Sequence, residues 1–520
     1  MMATILKLDK GTVVGFMNKD LLYVDFKQIS LDRVLTNLFI KMRADGRPIT
    51  LKYRKETDME RMYNHIQMLE EKGKIEGATD NKDAIEDWLR SSLLEMVNRG
   101  NSSKEHISTL KPLHLLSYRV QNSRFCRDYR ASDQLYLMLK SNPEVMGGLV
   151  RYLSKGWDKS SNDIIPSENL DVDTTGILYI TTPLQEQPGV NKTIDETPKP
   201  FLKEQSALFC DDIRRLLLYQ NRLPRSVFID YLRILCGLHL SLYTIKLICL
   251  LPKMVKEGTR AITDDWTMLV DVTDNLDSDV SEYACRDFAT TMNNMQRYIR
   301  ATYMVDMVQA KKHCSVDEAL SFLCHENDRS DAYYQAKYDT LRDSFPEKRD
   351  DEFDQADFDE MLSLYDDDDY FGRLIHLLEK SNLGSSQYRY LREFVDSAGM
   401  KNTPSMLIAD SRSHRHPRRG VLGSKLLETM VQMLVLKENE DGSLSSRPLS
   451  IDELAKGIRD RYGLVVNGSD ETRFADGDVA MHAAFQHNME AFKYKLRQIG
   501  FYSDTSDACI MQKIRPRYKL

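Results

Sequence analysis

Apolar residues along this chain recur mostly at intervals of three and four, the spacing of one face of a helix. After a start that alternates like short strands around Gly11 and Gly15, Leu31, Val34, Leu35, Leu38 and Ile40 predict a helix that Ser30 can cap. Thr57 and Glu60 are spaced as a capping box at the head of TDMERMYNHIQMLEEKGK, where each side chain satisfies the other residue's exposed amide. Further helices are expected over AIEDWLRSSLLEMV, ended by Asn98, Gly100 and Asn101, and over DQLYLMLK and PEVMGGLVRYL. Residues 156–205 change character: Ser, Asp, Asn, Thr and Pro dominate, and only GILYITT has the pattern of a strand.

Two strongly apolar helices follow in SALFCDDIRRLLLYQNRLPRSVFIDYLRILCGLHLSLYTIKLICLLP, separated by Pro224, with Ser226 placed to cap the second. WTMLVDV predicts a strand. A long helix from Val280 to Ala310 is expected because Val280, Ala284, Phe288, Met295, Ile299 and Tyr303 share one face. The acidic block FPEKRDDEFDQADFDEMLSLYDDDDYF has the composition of a solvated surface or of a peptide that docks on a basic partner.

Three helices are expected towards the C-terminal end. The first carries Leu426, Leu427, Met430, Val431 and Leu434 on one stripe. The second, IDELAKGIRDRYG, opens on a capping box of Ser450 and Glu453 and stops at Gly463, before a short strand GLVV. The third lies between Asp478 and Gly500, with His482, Phe485, Met489, Phe492, Leu496 and Ile499 facing inward and Gln486, Glu490, Lys493 and Arg497 facing outward. FYSDTSDACIMQKI then has the form of strand, turn, strand. Three helices closed by a two-stranded hairpin resemble a winged helix, in which the third helix enters the major groove and the hairpin follows the backbone.

The expected fold is therefore mainly α and multidomain, with a few short strands. Its segments are a helical region 1–155, an irregular linker-like stretch 156–205, a central helical core 206–345, the acidic block with short helices and a basic arm 346–420, and a winged-helix-like region 421–520. A chain of 520 residues is too long for one ordinary core.

Charge sharpens this picture. The formal net charge is −7, which argues against a general polyanion binder, yet SRSHRHPRRG gathers Arg412, Arg415, Arg418 and Arg419 within ten residues. With Lys493, Arg497, Lys513, Arg515 and Arg517 these residues form the candidate nucleic-acid-binding set, and SRSHRHPRRG is expected to be a flexible arm ahead of the winged helix. Docking on protein is the alternative for the same elements.

Three motifs suggest chemistry and are better explained by structure. HCSVDEALSFLCH has zinc-like pairs, but Ser315 and Glu318 form a capping box, so a helix should hold the pairs about 15 Å apart. LDVDTTG carries the DxDxT pattern of haloacid-dehalogenase-like phosphotransferases without the apolar strand that pattern needs. In VDVTDN, Asp271, Thr273 and Asn275 resemble a degraded metal-ion-dependent adhesion site, and a loop-capping Asp is the better reading. No catalytic residue, metal or cofactor is expected, although a divergent metal-dependent nuclease could escape motif search.

The eight cysteines are scattered, as in a reduced cytoplasmic protein, and no secretory signal is visible. The apolar run 234–251 contains His239, Ser241 and Lys246, so a buried core helix is expected and not a membrane span. The helix pair around RLPRSVFIDYLRILCGLHLSLYTIKL together with the winged-helix-like end resembles accessory, non-catalytic proteins of bacterial anti-phage defence islands associated with DNA phosphorothioation or methylation. That resemblance implies a cytoplasmic bacterial subunit acting with other proteins of its system on DNA. A scaffold whose winged helix docks on protein, as in chromosome-organising complexes, is the other reading.

Overall fold

A computed structural model describes residues 16–47, 49–51, 58–101, 103–165, 170–184, 186–188, 198–325, 332–343, 360, 363, 369–410, 417–502 and 513–520. Helix accounts for 59% of the described residues and their strands are short, so the fold is mainly α. Contacts group the chain into two compact units, each drawn from three separated stretches. The first comprises Met1–Gln28, Ser241–Gly423 and Ile458–Lys495; the second comprises Ile29–Leu240, Ser424–Gly457 and Leu496–Leu520. The Gly11 and Gly15 strands, Thr57 and nearly all of the acidic block lie outside the described residues.

The first unit is built on a small four-stranded sheet. Its strands come from distant parts of the chain, in the order Leu464–Val465, Met268–Asp271, Arg418–Val421 and Ile408–Asp410. The first three are parallel and the last is antiparallel. WTMLVDV and GLVV thus form strands as expected, and they are neighbours. The chain must pass close at Gly420, where an added Cβ would lie 2.7 Å from the Leu269 carbonyl oxygen. Gly463 stops the preceding helix at φ +72°, a conformation that favours glycine, and its carbonyl accepts the Met268 amide.

The long helix Asp279–Lys312 packs on this sheet, burying Val280, Ala284, Phe288, Met295, Ile299 and Tyr303 as their spacing requires. Its Asp287 accepts the Leu269 amide at 2.7 Å and pairs with Arg473. The helix Val479–Gln498 closes the sheet through buried Asn488. One amide group serves both neighbouring strands: Nδ2 donates to the carbonyls of Val270 and Val466, each at 2.8 Å, while Oδ1 accepts the Val272 amide at 2.9 Å. Where the two-residue ladder between these strands ends, the side chain takes over as their link.

Towards the end of the long helix, burial pushes the Asp306 carboxyl up to about 7, and nearby Asp20 adds to the effect, while Asn18 opposes it by donating to Asp306 at 2.6 Å. The folded value lies above the unfolded one of 3.8, so between about pH 4 and 7 the folded state keeps a proton that the unfolded chain has lost. This contribution to stability is full below about pH 4 and fades as pH rises to 7, at up to about 1.4 kcal/mol per pH unit. Asp306→Asn should flatten that slope in denaturant titrations run across the window and leave the protein more stable than wild type above it. An unchanged slope would show that another group sets the dependence.

The second unit collects helices Leu31–Arg43, Ala131–Lys140, Pro143–Leu153, Lys203–Leu218 and the first half of Arg225–Glu257. Buried His239 is held between Asp212 (2.8 Å) and Gln205 (2.9 Å), while Arg225 donates to the carbonyls of Leu113 and Leu153. The helix after Pro224 starts at Arg225, so Ser226 lies inside it and not at its cap. The apolar run 234–251 belongs to this 33-residue helix, which is long and apolar enough to span a bilayer, but 89% of its apolar window is buried.

Several expectations need correction here. GILYITT is helical, within Val172–Thr181, because Asp171 caps that helix by accepting both the amide and the hydroxyl of Thr174. Asp58 caps the helix Met59–Glu71 by accepting the Arg61 amide. AIEDWLRSSLLEMV is α-helical only to Trp88; it then widens into a π-helical turn over Leu89–Leu93, and Leu94–Val97 pairs with His106–Leu110 as a hairpin around Asn98 and Gly100, both at positive φ.

Candidate nucleic-acid interface

The three C-terminal helices stand where their patterns place them, at Ser424–Leu434, Ile451–Tyr462 and Val479–Gln498. Ser450 and Glu453 form the expected capping box, with bonds of 2.7 and 3.1 Å. Asp478 caps the third helix by accepting the Met481 amide, and Gly500 ends it at φ +82°. A hairpin does occur, but between the first two helices, where Leu436–Glu438 pairs with Leu444–Ser446. The turn NEDG, with Gly442 at positive φ, was its signal in the sequence. Residues 503–512, most of the hairpin expected after the third helix, lie outside the described residues. Both the second and the third helix are divided between the two compact units.

The third helix buries Phe485, Phe492 and Leu496 and exposes Gln486, Glu490 and Arg497, with Lys493 half-buried. Tyr494, 61% exposed beside Lys493, was not singled out by the sequence, because nothing in its spacing sets it apart from core aromatics. After the helix, Ile514 is buried and bridges Leu449, and the Arg515 amide donates to Phe501 at 2.9 Å. Those contacts leave the side chains of Lys513 and Arg515 exposed, and neither has an ion-pair partner among the described residues. Arg517 has a different task. It pairs with Glu428 at 2.6 Å and donates to the Ile499 carbonyl, while its amide bonds Gln432, so it fastens the terminal segment to the helix Ser424–Leu434.

The basic stretch is not the flexible arm expected of it, as far as it is described. Arg412 and Arg415 lie outside the described residues, but Arg418–Val421 is a strand of the first unit's sheet. Arg418 grips Asp396 with two bonds of 2.6 Å, and that carboxylate strengthens the guanidinium's hold on its proton. Lys401 joins Asp396 to Asp410 beside it. Arg419 is buried, with its Nε 2.8 Å from the fully buried Asp271. Strand pairing and internal carboxylates therefore occupy both residues.

The motifs that suggested chemistry are structural. Asp171 of LDVDTTG is the helix cap already described, and Asp173 accepts Trp88 Nε1 at 2.7 Å. Asp271 holds the amide and hydroxyl of Thr273, closing the loop after its strand. Ser315 and Glu318 cap the helix Val316–His325 between the two zinc-like pairs. Among the described residues, no group of three or more His, Cys, Asp and Glu could hold a metal ion.

A family model described as methylation-associated defense system protein MAD7 matches residues 12–518. The chain belongs to that family. No curated protein and no solved structure shows a significant match. Membership in MAD7 agrees with the defence-island resemblance of the helix pair and the C-terminal helices, and makes this chain a component of a methylation-associated defence system.

Proposed function

We propose that this MAD7-family chain is a non-catalytic, cytoplasmic subunit that brings its defence system onto DNA, with the C-terminal basic side chains contacting phosphates and the helical body contacting other proteins of the system. The observation that carries the proposal lies in the second unit, where Arg497, Lys513 and Arg515 are exposed around a segment held down by Ile514 and Arg517. Lys513 and Arg515 sit on a fixed backbone and pair with no carboxylate among the described residues, unlike Arg418 and Arg419, and such cations suit a polyanion. Lys493, Arg412 and Arg415 extend the same reading.

Each neutralised phosphate steepens the fall of log K with log salt by about 0.9. The triple variant Arg497→Ala, Lys513→Ala, Arg515→Ala should therefore weaken duplex binding and flatten that slope by about 2 to 3. Fluorescence anisotropy over a salt series measures both. Equal affinity and slope in wild type and variant would sink the DNA reading and favour protein docking by the same elements.

A further inference from the structure

The hairpin Leu436–Glu438/Leu444–Ser446 has two unlike faces. Leu436 pairs with Ser446, Lys437 with Ser445 and Glu438 with Leu444. Successive side chains of a strand point to opposite faces, so Lys437, Asn439, Ser443, Ser445 and Arg447 belong to one face and Glu438 to the other. Side-chain bonds agree with that grouping. Asn439 Oδ1 accepts from Ser445 Oγ at 3.0 Å and from Arg447 Nη2 at 2.9 Å, and Asn439 Nδ2 donates to Ser443 Oγ at 2.9 Å. This face thus carries two exposed cations, Lys437 and Arg447, and no acid, and neither cation has an ion-pair partner among the described residues. Glu440 and Asp441 lie in the turn, where Asp441 holds the amide and hydroxyl of Ser443.

The rest of the hairpin holds that face in place. Leu436 is buried, and its carbonyl accepts Arg215 Nη1 at 2.7 Å. Ser446 Oγ accepts the Leu520 amide at 3.0 Å, and the Leu449 carbonyl accepts the Ile514 amide at 2.7 Å. The terminal segment 513–520 therefore runs beside residues 446–449, and Lys513 enters the neighbourhood of Lys437. Glu453 marks the spot. Its exposed carboxyl is held below the ordinary carboxylate range, first by the Ser450 amide and hydroxyl, then by the charges of Lys437 and Lys513. One carboxylate that feels both lysines places them in one locality, and all these residues belong to the second unit.

We propose that the DNA-contacting surface extends onto this hairpin: Lys437 and Arg447 bind phosphates of duplex DNA together with Lys513 and Arg515, and the charge of nearby Glu453 weakens that grip. The inference rests on the DNA reading given above and adds three residues that it leaves out. Phosphate is the fitting partner because the face offers cations, hydroxyls and an amide, with no apolar side chain for a protein partner to bury. Because the backbone beneath is fastened, the cations are already in place when the duplex arrives.

Fluorescence anisotropy of a labelled duplex of about 20 base pairs, titrated with the full chain over a salt series, tests this. Lys437→Ala should flatten the slope of log K against log salt by about 1. Adding Arg447→Ala should bring the change to about 2 and lower affinity at least about tenfold at about 0.1 M salt. Arg447 also bonds Asn439, so Lys437→Ala decides alone if the double variant melts early. Glu453→Gln removes only a charge, because glutamine serves a capping box as glutamate does. It should tighten binding by about two- to fivefold at about 0.05 M salt, with a melting curve like that of wild type. A wild-type slope in Lys437→Ala, or no tightening in Glu453→Gln, would overturn the hairpin's role; the DNA reading would still stand if the Arg497, Lys513 and Arg515 triple variant bound more weakly. A wild-type chain that leaves the duplex unbound at about 0.05 M salt would sink both.

Discussion

Arg419→Met is expected to destabilise the protein by about 3–5 kcal/mol, the cost of removing one partner from a buried ion pair. The Arg419 side chain is 5% exposed and that of Asp271 is fully buried, so neither charge has water to fall back on. Asp271 cannot turn away to find another partner, because its second oxygen already holds the amide and hydroxyl of Thr273 at 2.8 and 2.6 Å. Denaturant unfolding followed by circular dichroism measures the loss. Adding Asp271→Asn to the variant should recover part of it, since a neutral amide can keep the loop bonds without a bare charge. Arg515→Ala, on an exposed side chain, should stay within about 0.5 kcal/mol of wild type. If Arg419→Met unfolded like wild type and instead lost DNA affinity, the residue would belong to the basic surface after all.

That contrast shows what one-dimensional charge patterning can and cannot tell. Arg419 and Arg415 look alike in SRSHRHPRRG, but the partner that decides the role of Arg419 lies 148 residues earlier. Long helices were legible because many residues vote on one face: Asp279–Lys312 and Val479–Gln498 stand within a few residues of their predicted limits, with Asp478 and Gly500 marking the ends of the latter. The sheet was not legible as a sheet. Its strands are two to four residues long and come from separate stretches, too short for any alternation to show. GILYITT failed in the opposite sense. Its β-branched residues favour a strand, but the cap at Asp171 and burial of Ile177, Leu178 and Ile180 outweigh that preference.

Asn488→Leu should lower stability by several kcal/mol, on the order of 3–6, although leucine fits a helix well and nearly matches asparagine in size. The Asn488 amide makes three bonds in a region where water does not reach: two strand carbonyls lose their donor and the Val272 amide loses its acceptor. Each buried group left unpaired costs about 1–3 kcal/mol, and a leucine cannot satisfy any of them. Asn488→Asp is a sharper probe. An ionised carboxylate keeps the Val272 bond but confronts both carbonyls with a lone pair, so its folded pKa must rise. The folded state then holds the proton more tightly than the unfolded chain does, and the variant should come closest to wild type in acid and weaken as pH rises. Hydrogen exchange gives the local readout: the Val272 amide should exchange faster in Asn488→Leu and stay protected in Asn488→Asp. Protection of that amide in both variants would mean that the strand ends are held by the ladder alone, and that the side chain from Val479–Gln498 rests on the sheet without tying it.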